Sequence, residues 1–465
     1  MVLIAVIFIL GIFACTNACG QDFQVTELAN KVMAFRNPEL GECQLVIASD
    51  KGLVVLNSFW SSITADKFKQ AITENLKRDD FIYLINMIDR LDIFGGNAAY
   101  GDISIIGHKA FWDKYRGKED EVRVEIDRLI NMWRFKEEGS RERLKDLESG
   151  SDQAVSEERW MNTCRERAED LEQGFSLVLP TEVYEDRKTL NLGDLTVNLI
   201  WFGRAGYEGE SVIIIPKDKL AIIPGFLLHP QHLAPYPQAR FARLDVPRWI
   251  EVLEEILEGD NAVDYVICGD CELWTRARAH EHLRYIRDLW NRVAEEEAAG
   301  RTLEEINDKL SLENEFAFIK DMPEYINNGD DWIRPQHLNH TKLFFLQHKN
   351  HAIELLENTN SDALTSALAK IRELRDGGDD LYIDEGAVNN IGYTLMATGR
   401  FGDAAKVLKL NVEAFPQSAN AFDSYAEALM KNGDTKDAIL NYKKSLELNP
   451  DNQNAKDMLK TLEAQ

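Results

Sequence analysis

Near the start of the chain, Gln44 to Ser49 and Leu53 to Leu56 are apolar runs of strand length around Asp50-Lys51-Gly52, where glycine supplies the positive φ of a tight hairpin. From Thr64 to Lys77 the apolar positions Phe68, Ile72 and Leu76 recur at helical spacing, with Thr64 placed to cap the helix. Phe81-Ile82-Tyr83-Leu84-Ile85 is unbroken and apolar, as a strand buried on both faces should be, and Ile103 to Ile106 is a second such run. Between them runs the polar stretch Asn86 to Asn97, which contains Gly95-Gly96. This order predicts an α/β fold with its functional loop at the end of a buried strand.

Lys118 to Gln173 is densely charged, with apolar residues at Val124, Ile126, Leu129, Ile130, Trp133, Leu144 and Leu147. That pattern predicts helices with one solvated face, inserted over about 118–173 and joined through Ser149-Gly-Ser-Asp152. Leu195 to Trp201, Val212 to Ile215 and Leu220 to Ile223 predict further strands, the last two joined by Pro216 to Lys219. Trp290 to Asn350 reads as helices and turns.

The last hundred residues change character. Gly399, Ala404 and Pro416 recur as Gly433, Ala438 and Pro450, and Val388, Ile391, Gly392 and Leu395 answer to Phe422, Tyr425, Ala426 and Leu429. The thirty-four-residue period and this residue pattern resemble tetratricopeptide repeats, which implies an all-α module over 360–465 with a face for an extended peptide or a partner protein.

Composition narrows the partners. A formal charge of −26 over 465 residues argues against nucleic acid and against anionic membrane surfaces, both of which demand a basic footprint. Residues 1–20 read as an export signal, because Met1 to Ala14 is apolar and uncharged over the length of a signal-peptide core. Ile12-Phe13-Ala14-Cys15 resembles a lipoprotein box with Cys15 as the lipidated residue; Ala18-Cys19-Gly20 offers an ordinary signal-peptidase site instead. Four cysteines then remain, too few and scattered for a disulfide scaffold. Cys268-Gly-Asp-Cys271 has redox-motif spacing without a thioredoxin-like context, and reads as a local disulfide clip or two inert thiols.

The loop from Asn86 to Asn97 carries a second resemblance. The metallo-β-lactamase superfamily has a Thr-His-x-His-x-Asp-His run followed by x-Gly-Gly-Asn at this point. Here Asp92, Gly95, Gly96 and Asn97 are kept, while Ile88, Arg90 and Ile93 stand where three histidines would be. Gly206 takes the place of a further histidine and Phe226 that of the bridging aspartate. Asp270 takes the place of the last histidine. The resemblance covers residues 21–350 and implies a four-layer αββα metallo-β-lactamase fold, followed by the all-α repeat module.

Isoleucine, glycine and phenylalanine side chains cannot bind metal, and a charged arginine repels a divalent cation, so the resemblance implies that the zinc site is lost. The expected function is that of an exported, non-catalytic binding or scaffolding protein. The alternative is a hydrolase using Asp89, Arg90, Asp92 and Asp270 without metal or with a weakly held hard cation. Arg90 is expected to join Asp92 and Asp270. His229 and His232 are expected to be solvated or capping, though able in principle to recruit a displaced metal; His280 and His282 are likewise expected to be solvated or capping. No nucleophile elbow, Walker loop or dinucleotide glycine pattern is present.

Overall fold

The computed structural model describes residues 13–15, 23–38, 41–201, 207–225, 227–229, 232–233, 245–348, 356, 361–377 and 383–463, with the backbone alone at 13–15, 270, 361–362, 376–377 and 463. The chain divides into two compact units, residues 1–292 with 307–340 and residues 293–306 with 341–465.

In the first unit, β1 (Phe13–Cys15), β2 (Phe23–Ala29), β3 (Val32–Asn37), β4 (Glu42–Ala48) and β5 (Leu53–Leu56) pair in antiparallel succession. The turn between β4 and β5 requires Gly52, whose φ is +150° and where a Cβ would stand 2.6 Å from Ile82. Helix α1 (Ser62–Leu76) then crosses over so that β6 (Phe81–Asn86) lies parallel to β5. Thr64 lies inside this helix and is not its cap. Ser61, in extended conformation, accepts the Thr64 N–H at 3.1 Å, which frees the Thr64 hydroxyl to donate to Asp170 at 2.6 Å. After α2 (Leu91–Phe94), β7 (Ser104–His108) runs parallel to β6 and is followed by α3 (Ala110–Tyr115).

The charged segment forms two helices, α4 (Glu119–Leu144) and α5 (Asp152–Gly174). Arg134 to Glu172 at 3.0 Å and Arg143 to Glu157 at 2.6 Å tie them together. Arg167 of α5 holds Glu42 at 2.6 Å and lies 4.6 Å from the rings of both Trp60 and Trp133, which docks the pair on the first sheet. Strand β8 (Glu182–Tyr184) completes that sheet, eight strands in the order β1 to β8.

A six-stranded sheet follows, with β9 (Arg187–Asn191), β10 (Thr196–Trp201), β11 (Ser211–Ile215) and β12 (Leu220–Ile222) antiparallel in turn. After α6 (Val246–Glu258), β13 (Tyr265–Cys268) lies parallel to β12 and β14 (Glu272–Thr275) forms the edge before α7 (Arg276–Ala298).

Strand alternation fixes the layers. Val46, Val55 and Leu84 face Phe68 and Ile72 of α1, whereas their neighbours Ile47, Val54 and Ile85 pack with Val197, Ile213, Leu220 and Ile267 of the second sheet. Trp274, opposite Val266 on the other face of that second sheet, packs against His282 of α7 at 4.9 Å between rings. Helix, sheet, sheet, helix is the four-layer order of the metallo-β-lactamase fold.

Further helices are α8 (Leu303–Lys309), α9 (Pro323–Asn328), α10 (Asp330–His348), α11 (Ser361–Gly377), α12 (Glu385–Ala397), α13 (Phe401–Ala414), α14 (Ala419–Asn432), α15 (Thr435–Leu448) and α16 (Gln453–Glu463). In the second unit, corresponding contacts recur at one offset. Asp384 caps α12 through Ala387 N–H and Ser418 caps α14 through Ala421 N–H. Asn411 donates to the Glu385 carbonyl at 2.9 Å, as Ser445 does to the Ala419 carbonyl at 2.8 Å. Ala404 and Ala438 are fully buried. This is an all-helical region of repeated helix hairpins. Among the described residues no helix is long and apolar enough to cross a membrane.

Candidate functional site

The loop leaving β6 is held by its asparagines. Asn86 and Asn97, both fully buried, exchange amide hydrogen bonds at 3.0 and 2.8 Å. Ser58 donates to Asn97 Oδ1 at 2.8 Å, and Asn97 Nδ2 donates to the Val178 carbonyl at 2.7 Å. A Cβ on Gly96 would stand 2.0 Å from the Ser58 carbonyl oxygen, and one on Gly95 2.4 Å from that of Trp60. The Gly-Gly-Asn sequence is thus required by close backbone packing, whatever stands at the ligand positions.

Ile88 points into the core between the sheets and is only 6% exposed; Ile93 packs partly buried against the same core. Arg90 stays at the surface. Its Nε donates to Asp92 Oδ1 at 3.0 Å, a second guanidinium nitrogen holds Oδ2, and the group lies 5.4 Å from the Tyr207 ring centre. Asp270 belongs to the 3-10 turn Gly269–Cys271, but its side chain lies outside the described structure, as do Gly206 and Phe226 altogether. Cys15 is described by backbone alone, opposite Phe23.

Asp89 has a different place from its neighbours. Its side chain is fully buried, with Oδ2 2.8 Å from Lys114 Nζ and Oδ1 accepting the Gly209 N–H at 3.0 Å. Its carbonyl accepts from Lys114 at 2.7 Å and from the Tyr115 hydroxyl at 2.8 Å. Burial, with the nearby Asp89 charge second, raises the Tyr115 pKa, which keeps that hydroxyl a donor. Sequence reasoning missed Lys114 and Tyr207. They lie on other elements, and no local pattern pairs them with the loop.

His108 is buried and stacked on Trp201, 4.4 Å between ring centres, and its Nδ1 accepts the Ala110 N–H at 3.2 Å. Burial pulls its pKa down, so the ring is neutral at pH 7. Two histidines expected to be solvated or capping are buried. His232 packs 5.3 Å from the Trp332 ring, and His282 lies between Trp274 and Glu324, whose oxygen is 3.3 Å away. The signal for His282 was available, since Ala279 and Ile286, at helical spacing either side of it, are buried as well. His280, as expected, is at the surface, beside Glu258 at 2.5 Å.

Of the positions where the resemblance would place ligands, Ile88 packs in the apolar core and Arg90 holds Asp92, and neither side chain offers a lone pair to zinc. Among the described residues, no three His, Cys, Asp or Glu side chains are grouped to hold a metal ion.

No family model matches the sequence, and no curated protein does. Among solved structures, the sec-alkylsulfatase Pisa1 from Pseudomonas sp. is 15% identical over 94% of this chain and 64% of its own, with a TM-score of 0.48. A double mutant of PisA1 is 15% identical over 91% of this chain and 70% of its own, with a TM-score of 0.47. A metallo-β-lactamase from Pontibacter korlensis is 13% identical over 57% of this chain and 99% of its own, with a TM-score of 0.36.

Proposed function

We propose that this protein is a non-catalytic binding or scaffolding protein built on a metallo-β-lactamase fold whose metal centre has become a structural joint. The observation that carries the reading is the burial of Ile88 in the inter-sheet core. Restoring a ligand there would mean withdrawing an apolar side chain and placing a polar one in the same space, a change of the kind that costs several kcal/mol. Arg90 and Asp92 neutralise each other where cation and ligands would otherwise do so. Asp270 is the further carboxylate proposed to join them.

The repeated helix hairpins of residues 360–465 are proposed as tetratricopeptide repeats that hold a protein or peptide partner. The apolar start of the chain supports export to the periplasm, the outer membrane or the medium, with Cys15 as the site of a lipid anchor. The functional test is turnover. Zinc-supplemented protein is expected to hydrolyse sulfate esters and β-lactams no faster than its Asp92→Asn variant. Turnover that this substitution abolishes would overturn the proposal.

A further inference from the structure

We propose that Cys268 and Cys271 form a reversible dithiol–disulfide pair, a redox latch across the turn between β13 and β14. Cys268 ends β13, and the 3-10 turn Gly269–Cys271 returns the chain at once into β14, where Glu272 pairs with Cys268. A turn of this kind brings its first and fourth Cα atoms within about 7 Å. A disulfide spans Cα separations of roughly 4.4–6.8 Å. In this structure both residues are thiols.

Cys271 has φ +54°, the left-handed position that closes the three-residue loop between the paired residues Cys268 and Glu272. The turn is also tightly coupled to its surroundings. Gly269 N–H donates to the Leu228 carbonyl at 3.1 Å, and a Cβ on Gly269 would stand 2.8 Å from the His229 ring and 2.9 Å from Gly225. Oxidation would therefore fix the turn against Gly225, Leu228 and His229.

The chemistry is thiol–disulfide exchange with a small-molecule disulfide or a dithiol oxidoreductase as oxidant. Both residues are buried, Cys271 against the core between the sheets, and once the turn opens Cys271 reacts first. Its thiolate attacks one sulfur of the donor disulfide and releases one donor thiol. The Cys268 thiolate then attacks the Cys271 sulfur and releases the second. Two protein thiols and one donor disulfide thus give one protein disulfide and two donor thiols. Both steps require local opening of the turn and are slow on that account.

The test equilibrates the full chain in buffers of rising oxidised-to-reduced glutathione ratio, quenches with acid, alkylates, and maps peptides by mass. Cys268 and Cys271 are expected to lose alkylation together along one transition, to give a peptide lighter by two hydrogens, and to recover fully in dithiothreitol. In Cys268→Ser the resolving thiol is gone, so glutathione should remain attached at Cys271. The proposal is overturned if both thiols stay alkylatable at the most oxidising ratio, if wild type keeps a glutathione adduct, or if the pair stays oxidised in excess reduced glutathione. An adduct-free Cys268→Ser protein that still melts cooperatively would also contradict it. The wild-type mapping decides the question even if the variant fails to fold.

Discussion

Lys114 and Asp89 form an ion pair at 2.8 Å in which the carboxylate is fully buried and the ammonium side chain is 32% exposed. The same carboxylate accepts the Gly209 N–H, so one group joins the loop after β6 to the segment entering β11. Lys114→Met removes the cation and leaves the carboxylate buried with one amide donor, which should cost about 3 kcal/mol. Combining it with Asp89→Asn should recover part of that loss, because the second change removes the stranded charge. Urea denaturation measures both. A single variant as stable as wild type would show that Asp89 tolerates burial unpaired.

The Arg90–Asp92 pair should be worth less. Its side chains are 36% and 34% exposed, so solvent screens the pair. Arg90→Ala is expected to destabilise by about 1 kcal/mol, a loss that Asp92→Asn in the same chain should not deepen. Near 1 M salt, where charges are screened beyond roughly 3 Å, the difference from wild type should shrink. A salt-independent loss would point to packing of the guanidinium on Tyr207 as the larger contribution.

Acid should weaken the first unit through its buried histidines. His337 Nε2 donates to the Leu310 carbonyl at 2.7 Å, and its Nδ1 stands 3.2 Å from the Tyr285 hydroxyl, which also lies 2.9 Å from His340 Nδ1. Burial holds its pKa down at about 4, below the ordinary value near 6.5. The unfolded chain therefore binds more protons between these values, and stability is fully present above about 6.5 and falls as pH drops towards 4. The contribution is roughly 3 kcal/mol at most. The lowered pKa of His108 acts in the same direction. Urea midpoints measured from pH 7 to 4 should show the decline, and His337→Phe should flatten it. An unchanged slope in that variant would remove His337 from the account.

Cys15→Ser tests the anchor. If acyl chains on Cys15 hold the protein to a membrane, the variant should move from the membrane pellet to the soluble fraction. Unchanged pelleting would exclude Cys15.

Much of the architecture was legible because it is periodic. The β4–β5 turn, the strand before the site loop and the helices of the insertion follow from alternation and helical spacing within a few residues. The Gly-Gly-Asn loop was legible as a resemblance, and packing against Ser58 and Trp60 explains why glycine is required at 95 and 96. What sequence could not give were partners set by long-range closure. Asp89 reads as a candidate site residue beside Arg90, yet its amide donor Gly209 is 120 residues away. Thr64 reads as the helix cap because serine and threonine are equivalent in that role, and only the extended backbone of Ser61 decides between them.

The most direct measurement is the metal content of the purified mature protein, with its melting temperature recorded before and after adding zinc and then a chelator. With Ile88 committed to the core and Arg90 to Asp92, the account predicts well under one zinc per chain and no shift in melting with either reagent. One tightly held zinc per chain, whose removal lowers the melting temperature, would contradict it.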